Sequence, residues 1–228
     1  MSERWSLIFD CDGTLVDSEP LLARELAVTF TSLGLPFEPQ DYMLDYRGVA
    51  FPFILADLET RHGRKVDDME RRKELEQQMR ASLEERMKQE LKPIDGVAEA
   101  LEALSAHPRC IASNGPLRKI KLSMSLSGLA AQFGDHLYSA YEVGIWKPDP
   151  GLYLYAAKAL DTPPERCIVI DDAAVGLKSG IDAGMQVIHL NRFSERERTP
   201  EGAHEIRAMA QLPSMVEKII AERSAASA

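Results

Sequence analysis

Short apolar runs alternate along the chain with stretches in which apolar residues recur every three or four positions. The runs predict five buried strands, at residues 6–10, 110–113, 137–140, 166–171 and 187–190. Helical spacing lies between them in Val97/Leu101/Leu104, in Leu152/Tyr155/Ala156/Leu160 and in Val175/Ile181. Strands that alternate with helices predict an α/β fold, with helices on both faces of a parallel sheet.

About a hundred residues separate the first two predicted strands, where a single crossover helix needs far fewer, so the pattern predicts an inserted segment. Ser18 is a suitable helix cap, Glu19 and Pro20 suit a first helical turn, and the helix is expected to reach about Thr29, before Gly34.

The second half of the insertion has the pattern of an exposed amphipathic helix. Residues 64–92 interleave 9 basic with 8 acidic residues. One apolar stripe runs through Val66, Met69, Leu75, Met79, Leu83, Met87 and Leu91, and one break in the helix is allowed for. Pro93 and Gly96 mark the return to the sheet. We therefore predict a core formed by residues 1–16 and 94–228 and a helical insertion formed by residues 17–93.

Composition and charge narrow the class of protein. The 228 residues carry 27 Lys+Arg against 36 Asp+Glu, a net charge of -9, which argues against a nucleic-acid partner. The apolar run near the N-terminus is too short for a signal peptide or a membrane span, so we expect a cytoplasmic protein without a membrane partner. Three widely spaced cysteines, Cys11, Cys110 and Cys167, predict buried thiols rather than disulfides or a zinc site, and the five histidines show no ligand spacing.

Candidate chemistry lies where the predicted strands end. Asp10 and Asp12 project to the same side of an extended segment, and two adjacent carboxylates require a cation or a shared proton. An Asp-Gly turn would also explain Asp12. The pair Ser113-Asn114 precedes a predicted helix that starts at Pro116, where it forms either an anion site or an ordinary helix cap.

Two further acids, Asp171 and Asp172, follow an apolar strand, an arrangement that favours function over structure. Because ligands of open α/β sheets bind at the carboxyl ends of strands, these acids, Asp10 and Asp12 are expected to lie together. Lys147, before Pro148, adds a cation from a loop. Carboxylate oxygens suit Mg²⁺, and the whole set suits phosphoryl transfer.

At these residues the chain resembles the haloacid dehalogenase superfamily. Its four motifs are matched, in chain order, by Asp10-Cys11-Asp12-Gly13-Thr14, Ser113-Asn114, Lys147-Pro148 and Asp171-Asp172. The resemblance implies a Rossmann-like core and an inserted helical cap that closes over the active site. Within the superfamily the pattern looks most like the branch that contains 6-phosphogluconate phosphatase.

The resemblance also implies a role for each motif residue. Asp10 would be the nucleophile that forms an aspartyl-phosphate and would bind Mg²⁺. Asp12 would be the general acid and base, with its backbone carbonyl on the metal, and Lys147 would offset charge between nucleophile and phosphate. Ser113 and Asn114 would bind phosphate. Asp172 would be a direct metal ligand and Asp171 a ligand through water.

Ala173 departs from the family pattern, and Arg47-Gly48 extends the resemblance into the cap. Ala173 stands where many relatives carry Ser, so one hydroxyl near the metal is missing. Arg47-Gly48 resembles the specificity loop of the cap, in which Arg47 would contact the far end of the substrate, although a surface arginine is an equal alternative. Trp146 is expected to pack beside Lys147 without a chemical role.

The sequence therefore predicts a Mg²⁺-dependent phosphatase, a monomer or weak homo-oligomer, that hydrolyses a small sugar or sugar-acid phosphate, for which 6-phosphogluconate is a candidate. A phosphomutase resembling β-phosphoglucomutase would use the same motifs. Dehalogenase chemistry is disfavoured because it has no leaving alkoxide for Asp12 to protonate. A signalling receiver is disfavoured because receivers place the acidic pair first, whereas Asp171-Asp172 comes last.

Overall fold

A computed structural model describes residues 4–66, 68–193 and 197–226 of the chain. Six parallel strands form one sheet in the order β3-β2-β1-β4-β5-β6. They are β1 (Ser6–Phe9), β2 (Arg109–Ser113), β3 (Leu137–Ser139), β4 (Cys167–Asp171), β5 (Gln186–Leu190) and β6 (Ala203–Ile206). The order reverses beside β1, which creates a crevice at the carboxyl ends of β1 and β4.

All five predicted strands are confirmed, each to within a residue at either end. The sixth strand, Ala203–Ile206, was not predicted: it lies at the sheet edge and only Ile206 is buried, so it lacks the apolar run that marks the others.

Helices cover both faces of the sheet, as predicted. The helices are α1 (Glu19–Ser32), α2 (Pro39–Asp41), α3 (Phe51–His62), α4 (Met69–Glu90), α5 (Val97–Ala103), α6 (Leu117–Ser127), α7 (Ala130–Phe133), α8 (Ala140–Val143), α9 (Gly151–Ala159), α10 (Ala174–Asp182) and α11 (Leu212–Ala226). Side chains alternate along β1, so Leu7 and Phe9 join the apolar layer under α5, α6 and α11, while Ile8 joins the layer under α9 and α10. None of the helices among the described residues is long and apolar enough to span a membrane.

The insertion between β1 and β2 holds α1 to α4, a π-helical turn at Tyr42–Tyr46 and an apolar core of its own, and it forms the cap. The two segments that connect the cap to the core run side by side and are hydrogen-bonded to each other. The Asp17 amide donates to the Lys92 carbonyl at 2.9 Å, and the Ile94 amide donates to the Leu15 carbonyl at 3.0 Å. The cap is therefore joined to the core through two adjacent connecting segments.

The two predicted cap helices are present, with different ends. Helix α1 continues to Ser32 rather than ending near Thr29, and the Ser18 hydroxyl does not cap it. Helix α4 is continuous from Met69 to Glu90, without the break allowed for. Its predicted stripe is buried at Leu75, Met79, Leu83 and Met87, whereas Met69 is exposed because the helix has only just begun there.

Candidate active site

Three acids meet at the carboxyl ends of β1 and β4. Carboxylate oxygens of Asp10, Asp171 and Asp172 lie within 4.8 Å of one another, and all three residues are buried. Burial raises the pKa of Asp10 well above its ordinary value; the charge of Lys147 opposes this rise, and Asp171 and Asp172 add to it. The three carboxylates therefore need more positive charge than the described side chains supply.

Glycines allow these carboxylates to approach the backbone. A Cβ on Gly13 would lie 2.3 Å from a carboxylate oxygen of Asp172, and a Cβ on Gly176 would lie 1.8 Å from one of Asp171. Gly13 also has a φ of +79°, in the left-handed region that glycine tolerates. Any side chain at either position would displace an acid of the cluster.

Lys147 is the cation inside this cluster. Its buried Nζ donates to Asp10 Oδ1 at 2.6 Å and to Asp171 Oδ2 at 2.9 Å, and it lies 4.6 Å from the ring centroid of Tyr153. The Tyr153 hydroxyl donates to the same Asp171 oxygen at 2.6 Å. Burial lowers the pKa of Lys147, but the two carboxylates outweigh it and hold the pKa above its ordinary value. Lys147 is therefore a fixed ammonium between two acids.

Asn114 positions the loop that carries Lys147. Its side-chain Oδ1 accepts from the Lys147 amide at 2.9 Å, and its Nδ2 donates to the Lys147 carbonyl at 3.1 Å. The peptide bond from Lys147 to Pro148 is cis. The same Nδ2 donates to the Gly48 carbonyl of the cap at 2.9 Å. The amide of Asn114 thus binds the core loop and the cap at once.

Ser113 lies at the end of β2, where its hydroxyl accepts from the Gly115 amide at 3.0 Å and faces the same cavity as Asp10. Helix α6 starts at Leu117, with Pro116 as the residue before it. The predicted anion site at this helix start therefore opens into the acidic cluster.

Asp12 points along the cavity wall and forms a separate ion pair. Its Oδ1 accepts from Lys119 Nζ at 2.7 Å and also from the Ser18 hydroxyl. Burial raises the pKa of Asp12, but the charge and hydrogen bond of Lys119, with the Ser18 hydrogen bond, hold the pKa below its ordinary value. Asp12 is therefore held as a carboxylate in this conformation.

The residues of the acidic cluster fit a divalent cation. Asp172 Oδ1 accepts from the Thr14 hydroxyl at 2.9 Å, whereas the buried Oδ2 has no hydrogen-bond partner among the described residues. Burial raises the pKa of Asp172 to about 6, against the charge of Arg47. A carboxylate oxygen without a hydrogen bond, beside two further carboxylates, belongs to the donor set that a hard cation such as Mg²⁺ prefers.

Arg47 lies at the back of this cluster rather than in the cavity that holds Asp10 and Ser113. Its Nη1 is 3.3 Å from Asp172 Oδ2 without hydrogen-bond geometry, and its Nη2 donates to the Asp172 carbonyl at 2.9 Å and pairs with Glu197. Its predicted contact with substrate stays a prediction. Gly48, next to it, approaches Ala173 so closely that a Cβ on Gly48 would lie 3.0 Å from the Ala173 Cβ. The small side chain at residue 173 therefore leaves room for the cap loop.

One cavity between cap and core contains most of the predicted site. Its walls include Asp10, Asp12, Ser113, Asn114, Lys147 and Asp171 from the core and Glu19, Tyr42, Arg80 and several apolar residues from the cap. Arg80 of α4 reaches the core, because its Nη2 donates to the Tyr141 hydroxyl at 2.6 Å. The Trp146 ring packs on Tyr141 and on Phe53 of the cap, as a packing residue.

Sequence reasoning missed Lys119, Arg80 and Tyr42, and it treated Glu19 only as a first-turn acid. Lys119 lies in the first turn of α6 and pairs with Asp12, which is 107 positions away along the chain, so no local pattern marks it. Arg80 falls within a charged helix face that gives no signal either.

Comparison with known proteins agrees with this geometry. The family model for haloacid dehalogenase-like hydrolases matches residues 6–184, and the chain belongs to this family. It is 38% identical to the 6-phosphogluconate phosphatase of Escherichia coli (strain K12) over 189 residues, which cover 83% of each protein. It is 27% identical to a phosphorylated carbohydrates phosphatase of Thermotoga maritima over 81% of this chain and 83% of that protein.

Solved structures share the fold. A β-phosphoglucomutase from Clostridium difficile superposes with a TM-score of 0.83 at 16% identity, covering 97% of this chain and 99% of that one. A hydrolase from Pseudomonas syringae superposes with a TM-score of 0.82 at 24% identity, covering 95% and 99%. The chain is a hydrolase with a phosphatase among its relatives.

Proposed function

We propose that this protein is a Mg²⁺-dependent phosphatase that hydrolyses a small sugar or sugar-acid phosphate through an aspartyl-phosphate on Asp10. The observation that carries the proposal is the buried ammonium of Lys147, which bonds both Asp10 and Asp171 in the lining of a cavity. A nucleophilic carboxylate, a fixed cation and polar groups for phosphate oxygens are the parts that phosphoryl transfer requires.

In the first step a carboxylate oxygen of Asp10 attacks phosphorus and the bond from phosphorus to the ester oxygen breaks. Lys147 holds Asp10 in place, and Ser113 and the amides at the start of α6 bind the equatorial phosphate oxygens. Asp12 supplies a proton to the leaving alkoxide. Because Lys119 and Ser18 favour the carboxylate of Asp12, this step uses the fraction of enzyme in which Asp12 is protonated.

In the second step the Asp12 carboxylate takes a proton from water. The water oxygen attacks phosphorus, the bond from phosphorus to the Asp10 oxygen breaks, and inorganic phosphate forms with the Asp10 carboxylate regenerated. Lys119 and Ser18 hold Asp12 in the form that this step needs. Closure of the cap over the cavity excludes bulk water, and Asn114 bonds the cap to the loop of Lys147.

Asp10, Asp172, Asp171 and the backbone carbonyl of Asp12 would hold Mg²⁺. When bound, Mg²⁺ offsets the negative charge that the acids and the phosphate bring together. The raised pKa values of Asp10 and Asp172, and the Asp172 oxygen that accepts no hydrogen bond from the described residues, support a site for a cation.

The cavity supports a sugar or sugar-acid phosphate as substrate. Beyond the acids it presents the Tyr42 hydroxyl and the Arg80 guanidinium, which is paired with Glu76 in this conformation; such groups suit hydroxyl and carboxylate groups. Two relatives carry names of enzymes that act on phosphorylated carbohydrates, one of them on 6-phosphogluconate.

Release of inorganic phosphate tests the proposal. The full chain is incubated with sugar phosphates, 6-phosphogluconate and p-nitrophenyl phosphate, with Mg²⁺ and with EDTA. Stoichiometric phosphate release that needs Mg²⁺ is expected, together with a phosphorylated protein on rapid acid quench. Isomerised sugar phosphate without phosphate release would show a phosphomutase instead, and an inert protein across the panel would refute the proposal.

A further inference from the structure

Glu19 is a buried acid, and one of its carboxyl oxygens forms no hydrogen bond with the residues that the structure describes. It is the first residue of α1, its exposed fraction is 1%, and it lines the cavity that contains Asp10 and Asp12. The Tyr42 hydroxyl hydrogen-bonds to its carboxyl group. Oε2 has no hydrogen-bond partner among the residues that the structure describes. A buried polar atom without a partner costs stability and needs a reason.

A helix-capping role does not provide that reason. An acid in a first turn favours the helix dipole equally well when it is exposed to water. Glu25, two turns further along α1, is also buried, but its Oε1 accepts from Arg86 at 2.6 Å. The chain therefore pairs one buried acid of this helix with a cation and leaves the other directed at the cavity.

The electrostatic surroundings of Glu19 suit an uncharged ligand group. Burial and the nearby Asp12 and Asp172 raise the pKa of Glu19 to about 8. The raised pKa favours the protonated carboxyl group, which both donates and accepts hydrogen bonds. A hydroxyl group has the same two capacities and brings no charge into an already acidic region.

We propose that Glu19 is a specificity-determining residue that hydrogen-bonds a hydroxyl group on the carbon chain of the substrate, so that the cavity selects phosphorylated polyols over phosphate esters that lack hydroxyl groups. This inference rests on the proposed function. Much of the cap side of the cavity is apolar, with Leu22, Leu26, Val49, Phe51 and Ile54 among its lining residues. A polyol chain therefore finds few polar partners there, and the free Oε2 is one of them.

The test compares a hydroxylated sugar phosphate with p-nitrophenyl phosphate, which has no hydroxyl group. The measured quantity is the ratio of the two kcat/KM values, because it cancels effects common to both reactions. Glu19→Met keeps the side-chain length and removes the hydrogen bonds, so the ratio is expected to fall about 5- to 100-fold, chiefly through KM for the sugar phosphate. Glu19→Gln restores a donor and an acceptor and is expected to recover most of the ratio.

Glu25→Met is the matched control, since it removes a buried acid from the same helix outside the cavity. It is expected to lower the melting temperature and to leave the ratio unchanged. Deoxy analogues of the sugar phosphate complete a double-mutant cycle. With the wild type, the analogue that lacks the bonded hydroxyl should have a lower kcat/KM than the parent sugar phosphate. With Glu19→Met, removal of the same hydroxyl should have little further effect.

Three results would overturn the inference. An unchanged ratio in Glu19→Met would show that Oε2 contacts no substrate hydroxyl. An equal loss for both substrates would place Glu19 at the reacting atoms or in the fold. A wild-type protein that hydrolyses p-nitrophenyl phosphate but shows no preference for hydroxylated substrates would refute the inference alone, whereas a protein inert to every phosphate ester would refute the proposed function with it.

Discussion

The carboxyl ends of β1 and β4 and the outer face of α4 both carry paired charged residues. The first set is buried and the second is exposed. Lys147, with 2% of its side chain exposed, bonds Asp10 and Asp171, which are themselves buried. On α4, Lys73 and Glu70 are paired at 2.9 Å with side chains 62% and 77% exposed. The N–O distances are similar in the two sets. Their contributions to the free energy of folding differ, because the buried charges have lost their hydration and the exposed charges have kept it.

The contrast distinguishes charged residues that serve function from charged residues that serve solubility. Desolvating charges costs several kcal/mol for each ion, so a buried cluster is a poor way to stabilise a fold. An exposed pair three residues apart costs little and contributes little. The protein retains this costly arrangement at the carboxyl ends of β1 and β4, where we expect the chemistry to occur.

Replacing the nucleophile should have the largest effect. In Asp10→Asn the amide cannot attack phosphorus, so phosphate release is expected to fall about 1,000-fold or more with the fold retained. Steady-state phosphate assays and circular dichroism measure the two quantities. Asp182→Asn, at an exposed pair with Lys178, is the control and should keep full activity. Substantial turnover by pure Asp10→Asn would contradict the role of Asp10.

Removing the central cation tests the buried half of the comparison. Lys147→Met leaves Asp10 and Asp171 without their ammonium, and the free energy of unfolding in EDTA is expected to fall by about 3–5 kcal/mol. Activity with Mg²⁺ should fall about 100-fold or more. Urea unfolding gives the first number. An unchanged midpoint would show that the buried cluster is not electrostatically strained.

Metal removal tests whether a second cation completes the cluster. EDTA should abolish phosphate release, and Mg²⁺ at 100 times its dissociation constant should restore it and stabilise the fold by about 2.7 kcal/mol. Asp172→Asn removes an acid of the cluster and should lose most of the Mg²⁺-dependent rise in melting temperature. A rise of equal size in the variant would exclude Asp172 as a ligand.

The ionisation of Glu19 gives the free energy of unfolding a pH dependence of defined sign. Burial raises the pKa of Glu19 from 4.5 to about 8 in the folded protein. Its contribution to stability is therefore present below about pH 4.5 and is lost as the pH rises to about 8. Relative to the wild type in EDTA, Glu19→Gln should gain stability steadily across this window, since a difference of one pKa unit corresponds to about 1.4 kcal/mol. Denaturant midpoints that stay parallel from acid to alkaline pH would contradict the raised pKa.

The exposed pair should give the smallest effect. Lys73→Gln is expected to change the free energy of unfolding by less than about 0.5 kcal/mol and to leave phosphate release unchanged. Urea unfolding at low and high salt measures it. A loss comparable to that of Lys147→Met would remove the distinction between the two regions.

Much of the fold was predictable because the buried strands are apolar runs. Strands β1, β2, β4 and β5 have every residue buried, so their sequences carry a strong signal. The missed strand, Ala203–Ile206, pairs with one neighbour only and keeps polar residues, so its signal is weak.

The site divides in the same way. Asp10, Asp171 and Lys147 were predictable because charged groups next to apolar strands or at a proline are unusual. Lys119 was not, because it lies in a helix with other basic residues and its partner, Asp12, is more than a hundred positions away. Arg47 was expected either to contact substrate or to be a surface arginine, because a loop pattern does not show the contacts that orient its side chain, here with Asp172 and Glu197.

Asn114 also bears on how the protein ages. It is followed by Gly115, and asparagine before glycine is a site where chains lose the side-chain amide slowly by attack of the next backbone nitrogen. That nitrogen is engaged by the Ser113 hydroxyl at 3.0 Å, and the amide itself holds Gly48 and Lys147. These hydrogen bonds hold both reacting groups in place, so Asn114 is expected to resist deamidation in the folded protein.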